Sequence, residues 1–514
     1  MEKHESLSEE SDSEMECEDW DNSTIVHLQP KVEKRIYGFH LMPTCIQDPS
    51  TEPPSKQSKL SLELREALTT STFADNFKKN WNNHKEFTVD NIELIVDPFK
   101  VCVIQNFLKD DFIINKVLEE FNELEWNKRN LDLYEFFQSS DLKHIDSKYT
   151  KIVYEFLKHN VKNWVQNLTG QELTDISATC SLYSDTDYLL LHDDQQEDRL
   201  IAFVLYFTGP RTWQASNGGA LQLFSKDESG QPYAAVKNIV PCNNQFVFFQ
   251  VTNDSYHQVS EVLNKNDCRM SINGWFHTKV PPVFNVPPYV PSNFGLFSNT
   301  STKPQELDLD LESWINPEYL DSETAHYIQE HIEEHSEISL HNYFKEEAFQ
   351  EVLNDLQHHN VNWTLIGPPN RRSYEVALEQ ETMPSILQRF INLFQSYQMF
   401  SLLKQYTDLD LTSVRFELQR WTPGCYSLLT DYDWSQKNEL DLVLFLGCPK
   451  ISSVIGGRIM YVSTEEEIQQ ALITLEPEDN NLNIVFRDTA RITKYVSKYS
   501  SCSVYYLLIC SYSE

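Results

Sequence analysis

The chain has 514 residues and carries 42 Lys and Arg against 77 Asp and Glu, a formal net charge of −35. So acidic a chain repels phosphate, which argues against a general nucleic-acid binder and favours basic partners. With 40% hydrophobic and 12% aromatic residues it can bury substantial cores, and its length suits two large domains plus a tail.

The first residues, MEKHESLSEESDSEMECEDW, are acidic and Ser-rich and lack the apolar stretch of a signal peptide. We read 1–55 as a disordered acidic tail. The short basic cluster Lys31–Arg35 reads as solvated surface in preference to a nuclear address. Globular patterning begins near residue 60. LSLELREALTTSTFADNFKKNW predicts an amphipathic helix, and IELIVDPFKVCVIQNFL a strand pair interrupted at Pro98. DDFIINKVLEEFNELEW and IVYEFLKHNVKNWVQNLTG space their apolar residues at three and four, so both predict helices, the second stopped by Gly170.

Beyond Gly170 short strands take over: ISATCSLYS, YLLLH, LIAFVLYF, GALQLF, AAVKNIV, QFVFFQV and RMSINGWFH. Turn residues separate them, as in an antiparallel barrel or jelly roll. We therefore place a first domain at 56–280. Prolines 281, 282, 287, 288, 291 and 304 mark a linker at 281–304, and a second domain fills 305–514, again with helices before strands. No stretch of about 18 apolar residues predicts a membrane span. The ten cysteines are scattered and form no CxxC pair, which suits reduced thiols of the cytosol or nucleus.

The two halves resemble each other. YLLLHDD, LIAFVLYFTGP, GGALQLF, NNQFVFF and RMSINGWF recur in order as YSLLTDY, ELDLVLFLGCP, GGRIMYV, NNLNIVF and YLLICSY. His192 to Gly219 and Thr430 to Gly457 are equally spaced. A duplicated strand-rich domain follows. In that alignment His192 faces Thr430, Asp194 faces Tyr432, His257 faces Lys494 and Arg269 faces Tyr506, so the second copy lacks the polar set of the first.

That set carries chemistry. His192 and Asp194 close one strand, and residues two apart at a strand end share a side. His257, from a facing strand, completes two imidazoles and one carboxylate, a facial set that suits non-haem Fe(II) and leaves positions open for a co-substrate and O2. Arg269, at the start of the last strand, offers a permanently charged fork for a carboxylate such as the distal one of 2-oxoglutarate. Tyr183 and Tyr206 are candidates to share it. His331-Ile332-Glu333-Glu334-His335 matches an inverted zinc-peptidase pattern, but in so Glu- and His-rich a helix it reads as a solvated face.

The segments DPFKVCVIQNF, NLDLYEFFQSSDLK, YLLLHDD, RLIAFVLYF, GGALQLF, FVFFQV, YHQVSEVL and RMSINGWFH resemble the 2-oxoglutarate- and iron-dependent prolyl 3-hydroxylases that modify a small-subunit ribosomal protein. The likeness covers about 60–280 and continues more faintly through 305–514. It implies a mixed α/β (α+β) chain of two tandem double-stranded β-helix (jelly-roll) domains with flanking helices, only the first of them catalytic. It implies iron ligands His192, Asp194 and His257, and 2-oxoglutarate held by Arg269 with Tyr183 and Tyr206. It further implies Fe(II), 2-oxoglutarate and ascorbate as cofactors, O2 as co-substrate, and a basic ribosomal protein of the small subunit as partner, hydroxylated at proline C3 with an effect on translation. Residence in nucleus and cytoplasm goes with it. Two other readings stay open: a catalytically inert two-barrel interaction protein, and an oxygenase with another protein substrate.

Overall fold

A computed structural model describes residues 62–196, 198–209, 211–285, 289, 301–358, 361–377, 380, 383–429, 439–448, 453–463 and 470–514. The acidic tail, the Lys31–Arg35 cluster, most of the Pro-rich linker, and Thr430 and Tyr432 lie outside these residues.

The first unit has strands β1 (Phe87–Val89), β2 (Ile92–Ile95), β3 (Val101–Ile104), β4 (Asn127–Asn130), β5 (Tyr134–Gln138), β6 (Ile176–Tyr183), β7 (Tyr188–His192), β8 (Arg199–Phe207), β9 (Leu221–Lys226), β10 (Pro232–Ile239), β11 (Phe246–Gln250), β12 (His257–Val259) and β13 (Arg269–His277). They form one 13-stranded sheet in the order β1-β2-β3-β11-β8-β13-β6-β5-β7-β12-β9-β10, with β4 paired to β5. Adjacent strands are antiparallel, and the sheet folds over on itself as a jelly roll.

Strand β8 shows why these segments read as continuous apolar runs. Phe203, Leu205 and Phe207 join the core under the helices, while Ala202, Val204 and Tyr206 face the lumen. Both faces are buried, so neither needs polar residues. The helices supply the outer layer. The expected first helix divides into Glu66–Thr69 and Ser71–Asn82, because Thr70 is extended and its hydroxyl caps the second piece by accepting from Phe73 N. The Asp111–Phe121 helix buries Ile113, Ile114, Val117, Leu118 and Phe121. The predicted helix ending at Gly170 is present, with a π-helical turn at Leu157–Val161, and Gly170 closes it at φ +73.

The second unit repeats the plan with β14 (Glu337–His341), β15 (Trp363–Ile366), β16 (Arg372–Ala377), β17 (Ser413–Trp421), β18 (Tyr426–Ser427), β19 (Glu439–Leu446), β20 (Ile459–Ser463), β21 (Gln470–Leu475), β22 (Asn481–Arg487), β23 (Ala490–Thr493) and β24 (Tyr505–Ser513). These form an 11-stranded sheet in the order β14-β22-β19-β24-β17-β16-β18-β23-β20-β21, with β15 paired to β16. Its helices include Ser322–His335, Glu346–His358, Ser385–Gln395 and Tyr397–Thr407.

The duplication is visible atom by atom. Asn244 accepts from Leu108 N and donates to Leu108 O, and Asn480 does the same to Phe344. A Cβ on Gly218 would meet Glu261 O at 1.9 Å, and one on Gly456 would meet Tyr495 O at 2.0 Å. The pairing of β12 with β9 and of β23 with β20 then sets His257 opposite Arg491, and Ser260 opposite Lys494. Likewise Arg269 pairs with the last residue of β6 as Tyr505 pairs with the last of β17. The sequence alignment, which put Lys494 and Tyr506 there, was therefore out of register by three residues and by one.

The two barrels meet at Tyr188 and Leu190 of the first and Tyr426, Leu428 and Tyr495 of the second, with the Tyr188 and Tyr495 rings 4.6 Å apart. All eight described cysteines are free. Among the described residues no helix is long and apolar enough to cross a membrane.

Candidate active site

Antiparallel pairing of β7 with β12 places the Cα of His192 directly opposite that of His257. Their rings lie 4.2 Å apart. Asp194 follows the end of β7 in the left-handed region, at φ 64. This turn, and not simple strand alternation, brings its carboxylate back to both imidazoles. Asp194 Oδ1 is 3.5 Å from His192 Nε2, and Oδ2 is 3.4 Å from His257 Nε2.

The ring orientations are fixed from behind. His192 Nδ1 bonds to Leu190 O at 2.9 Å, and His257 Nδ1 to Ser255 O at 2.7 Å. A carbonyl can only accept, so each Nδ1 carries the proton and each Nε2 presents a lone pair. The neighbouring Asp193 is occupied elsewhere, accepting from Gln195 N and Gln195 Nε2.

Burial, reinforced by the charge of His257, pushes His192 down to about 4, which keeps it neutral at physiological pH. Burial also works to lower His257, but the charge of Asp194 and its hydrogen bond outweigh that and raise it. Burial opposes ionisation of Asp194 too, yet the two imidazoles hold it well below the usual carboxylate range. These are the properties of a donor set waiting for a cation. Among the described residues, His192, Asp194 and His257 are the one group of three His, Cys, Asp or Glu with ligand atoms within 4.8 Å of each other.

Arg269 begins β13 and is 2% exposed. Its guanidinium lies between the Tyr183 ring at 4.8 Å and the Tyr206 ring at 4.9 Å. Nη2 donates to the Tyr206 hydroxyl at 3.4 Å, and Nε is buried without a partner. Among the described residues no carboxylate pairs with it. A buried guanidinium without a counter-charge is costly unless an anion arrives to match it. Gly219, at φ +66, makes room for it: a Cβ there would stand 3.0 Å from Arg269 Cδ.

One cavity of about 580 Å³ contains His192, Asp194, His257, Arg269 and Tyr183. Tyr206 does not line it; its ring and hydroxyl hold Arg269 from behind. The donor set therefore fits a metal with open positions, and the orphaned guanidinium fits a dicarboxylate reaching from that metal into the barrel.

Sequence reasoning missed most of the cavity walls. Arg199 stacks on Trp275 at 3.7 Å, and both line the cavity. The β4–β5 hairpin contributes Arg129, Leu133, Tyr134, Phe136 and Gln138. Tyr134, Phe136 and Gln138 alternate along YEFFQ, a signal that was available; NKRN of β4 offers none. The His331–His335 pattern does lie on the Ser322–His335 helix, where His335 is exposed and His331 half-buried, in keeping with a solvated face.

The second barrel holds a different interior. Arg491, opposite His257, donates to Asp441 Oδ2 at 2.5 Å. Asp441 is fully buried and stands where Ala202 lines the first cavity. It also accepts from Ser511 at 2.6 Å and Tyr461 at 3.0 Å, and pairs with Arg487 Nε at 3.3 Å. Arg487 in turn pairs with Glu439.

Comparison with known proteins agrees with this geometry. A family described as the 2OG-Fe(II) oxygenase superfamily matches residues 178–277, and one described as the C-terminal degradation domain of oxoglutarate- and iron-dependent oxygenases matches 306–514. The prolyl 3-hydroxylase sudestada1 of Drosophila melanogaster is 34% identical over 82% of this chain and 84% of its own length. The mouse prolyl 3-hydroxylase OGFOD1 is 32% identical over 88% of this chain and 94% of its own. A protein of Ostreococcus tauri named prolyl 3,4-dihydroxylase OGFOD1 is 25% identical over 82% of this chain and 96% of its own. The chain belongs to the prolyl 3-hydroxylases of the 2OG-Fe(II) oxygenase superfamily and is a 2-oxoglutarate-dependent prolyl hydroxylase.

Proposed function

We propose that this prolyl hydroxylase acts at C3 of a proline in a loop of a basic small-subunit ribosomal protein near the decoding centre, and thereby affects translation. The observation that carries this reading is 32–34% identity to prolyl 3-hydroxylases across both barrels. The net charge of −35 supports it, since an acidic enzyme draws in a basic substrate. We place the protein in nucleus and cytoplasm, where ribosomal proteins are assembled and used, and expect ascorbate to sustain turnover.

His192, Asp194 and His257 would hold Fe(II), and Arg269 the distal carboxylate of 2-oxoglutarate. Bound together with O2, the metal and co-substrate supply oxidative decarboxylation of 2-oxoglutarate coupled to hydroxylation of an unactivated C–H bond. The chain supplies geometry and shielding. Leu190 O and Ser255 O fix the imidazole tautomers. Tyr183 and Tyr206 flank the guanidinium and keep it in place and buried, so that it meets its anion without reorganising. Leu221, Phe249 and Val259 keep the cavity wall apolar and exclude water. Proline lacks an N–H, so recognition of its loop falls to the neighbouring residues and to the rim groups Arg129, Tyr134 and Arg199.

The test is succinate release by the anaerobically Fe(II)-loaded protein, with and without a synthetic decoding-loop peptide, followed by the peptide mass. A gain of about 16 Da per hydroxyl, reduced more than about a hundredfold in His192→Ala, is expected, because ligand loss exceeds the 10–100-fold cost of losing a residue that merely orients one. A gain of about 32 Da would match the dihydroxylase activity that the Ostreococcus relative is named for. Peptide-independent succinate with an unchanged peptide mass would overturn the substrate assignment.

A further inference from the structure

The second barrel has no metal set among its described residues, yet a buried lysine of it reaches across to the hairpin that walls the first barrel's cavity. Lys494 is 5% exposed. Its ammonium donates to Asn130 Oδ1 at 2.8 Å and to Leu131 O at 2.5 Å, both at the tip of the β4–β5 hairpin. Beside it, Leu429 N donates to Asp132 Oδ2 at 2.8 Å, in the same tip. The lysine is itself fixed: its N–H donates to Arg458 O at 3.0 Å, and its carbonyl accepts from Gly457 N at 3.2 Å.

The anchor acts on the less firmly held half of the hairpin. Among the described residues strand β4 pairs only with β5, and β5 meets β6 and β7 through two residue pairs each. Buried Phe136 and Phe137 hold β5 to the barrel, while β4 is exposed or half-buried along its whole length. Yet the hairpin supplies Arg129, Leu133, Tyr134, Phe136 and Gln138 to the cavity. The same ammonium lies 5.6 Å from the centre of the Tyr188 ring of β7, so it bridges the tip and the barrel wall. Desolvating an ammonium is costly, so its placement there points to a specific role. Burial lowers its pKa to about 8, while Glu135 and Asp132 act to raise it.

We propose that Lys494 is a positioning residue for catalysis: from the non-catalytic barrel it pins the β4–β5 hairpin so that Arg129 and Tyr134 stand ready at the substrate entrance. The proposal rests on the cavity being the active site of a prolyl hydroxylase. It assigns the second barrel a part in substrate binding and not in holding iron or 2-oxoglutarate.

The full-length Fe(II)-loaded enzyme tests it, with the decoding-loop peptide as substrate and hydrogen exchange as a readout independent of turnover. In Lys494→Met we expect the peptide KM to rise about tenfold, the effect of losing hydrogen bonds from a charged donor. The 2-oxoglutarate KM stays within about twofold, and amide exchange at 127–138 accelerates while that of β7 and β12 does not. Lys494→Arg restores part of the effect. Asn130→Ala, an exposed residue on the other side of the contact, shifts both readouts in the same direction by less, and serves if Lys494→Met does not fold. Unchanged exchange in the hairpin of either folded variant overturns the proposal. So does faster exchange with an unchanged peptide KM, or a parallel rise in both KM values with faster exchange throughout the barrel. If the wild-type enzyme leaves the peptide unmodified, the substrate assignment fails, and the exchange measurement alone decides whether Lys494 holds the hairpin.

Discussion

The two barrels are the same scaffold with opposite interiors. Gly219 makes room for Arg269 in one, and Gly457 makes room for Tyr505 in the other, with Val262 and its counterpart Val496 each within 3.3 Å of the Cβ position. Phe136 stacks on Tyr183 as Tyr374 stacks on Trp421, at 4.7 and 5.0 Å. Within that shared frame the first barrel keeps Ala202, His257, Arg269 and Trp275 around an open cavity, with Leu223 buried among the apolar residues beside it. The second carries Asp441, Tyr461, Arg491, Tyr505 and Ser511 at the matching positions. One copy leaves a guanidinium unmatched for an anion; the other neutralises its guanidinium with Asp441. The jelly roll thus tolerates either solution, and catalysis depends on which polar groups are left unsatisfied.

The comparison breaks most readily at Asp441. Asp441→Ala leaves the half-buried Arg491 without its ion-pair partner and the buried Arg487 with Glu439 alone, and we expect a loss of about 3–5 kcal/mol in stability, read by calorimetry, with iron binding retained below the transition. A second contrast pairs Arg269 with Tyr505. Arg269→Lys keeps the charge but loses the fork, and should raise the 2-oxoglutarate KM by about ten- to a hundredfold. Tyr505→Phe removes a buried hydroxyl that has no partner, and should leave both that KM and the stability within about 0.5 kcal/mol of wild type.

The glycines sharpen the contrast further. Gly219→Ala and Gly457→Ala both place a side chain at φ +66 and should each cost about 1–3 kcal/mol in thermal unfolding. Only Gly219→Ala should also raise the 2-oxoglutarate KM, because its Cβ displaces Arg269. The smallest effect is expected from Tyr206→Phe. Losing one long hydrogen bond to Arg269 should raise the 2-oxoglutarate KM by only about threefold in steady-state kinetics.

Much of this was legible in the sequence, and the failures have physical causes. His192, Asp194, His257 and Arg269 stood out because each ends or begins a strand in a barrel-like run, and the structure gathers all four in one cavity. The route by which Asp194 arrives was not legible, since a left-handed turn leaves no mark on an Asp-Asp pair. The repeat was legible from apolar strands and paired glycines, but the loops after Gly219 and Gly457 differ in length, so extending the alignment carried it to Lys494 and Tyr506 when hydrogen-bond register selects Arg491 and Tyr505. The β4–β5 hairpin escaped because NKRN is polar throughout and pairs on one side only. Asp441 did leave a trace: a carboxylate within ELDLVLFL, a strand buried on both faces, requires a buried partner.

The most direct test of the account is the metal itself. Anaerobic titration with Fe(II), followed by calorimetry, should find one ion bound per chain. It should be lost in His257→Ala and retained in Arg491→Ala, measured at a temperature where both variants are folded. Two ions per chain, or binding that survives His257→Ala and vanishes in Arg491→Ala, would contradict the assignment of iron to the first barrel and of a charge-paired interior without iron to the second.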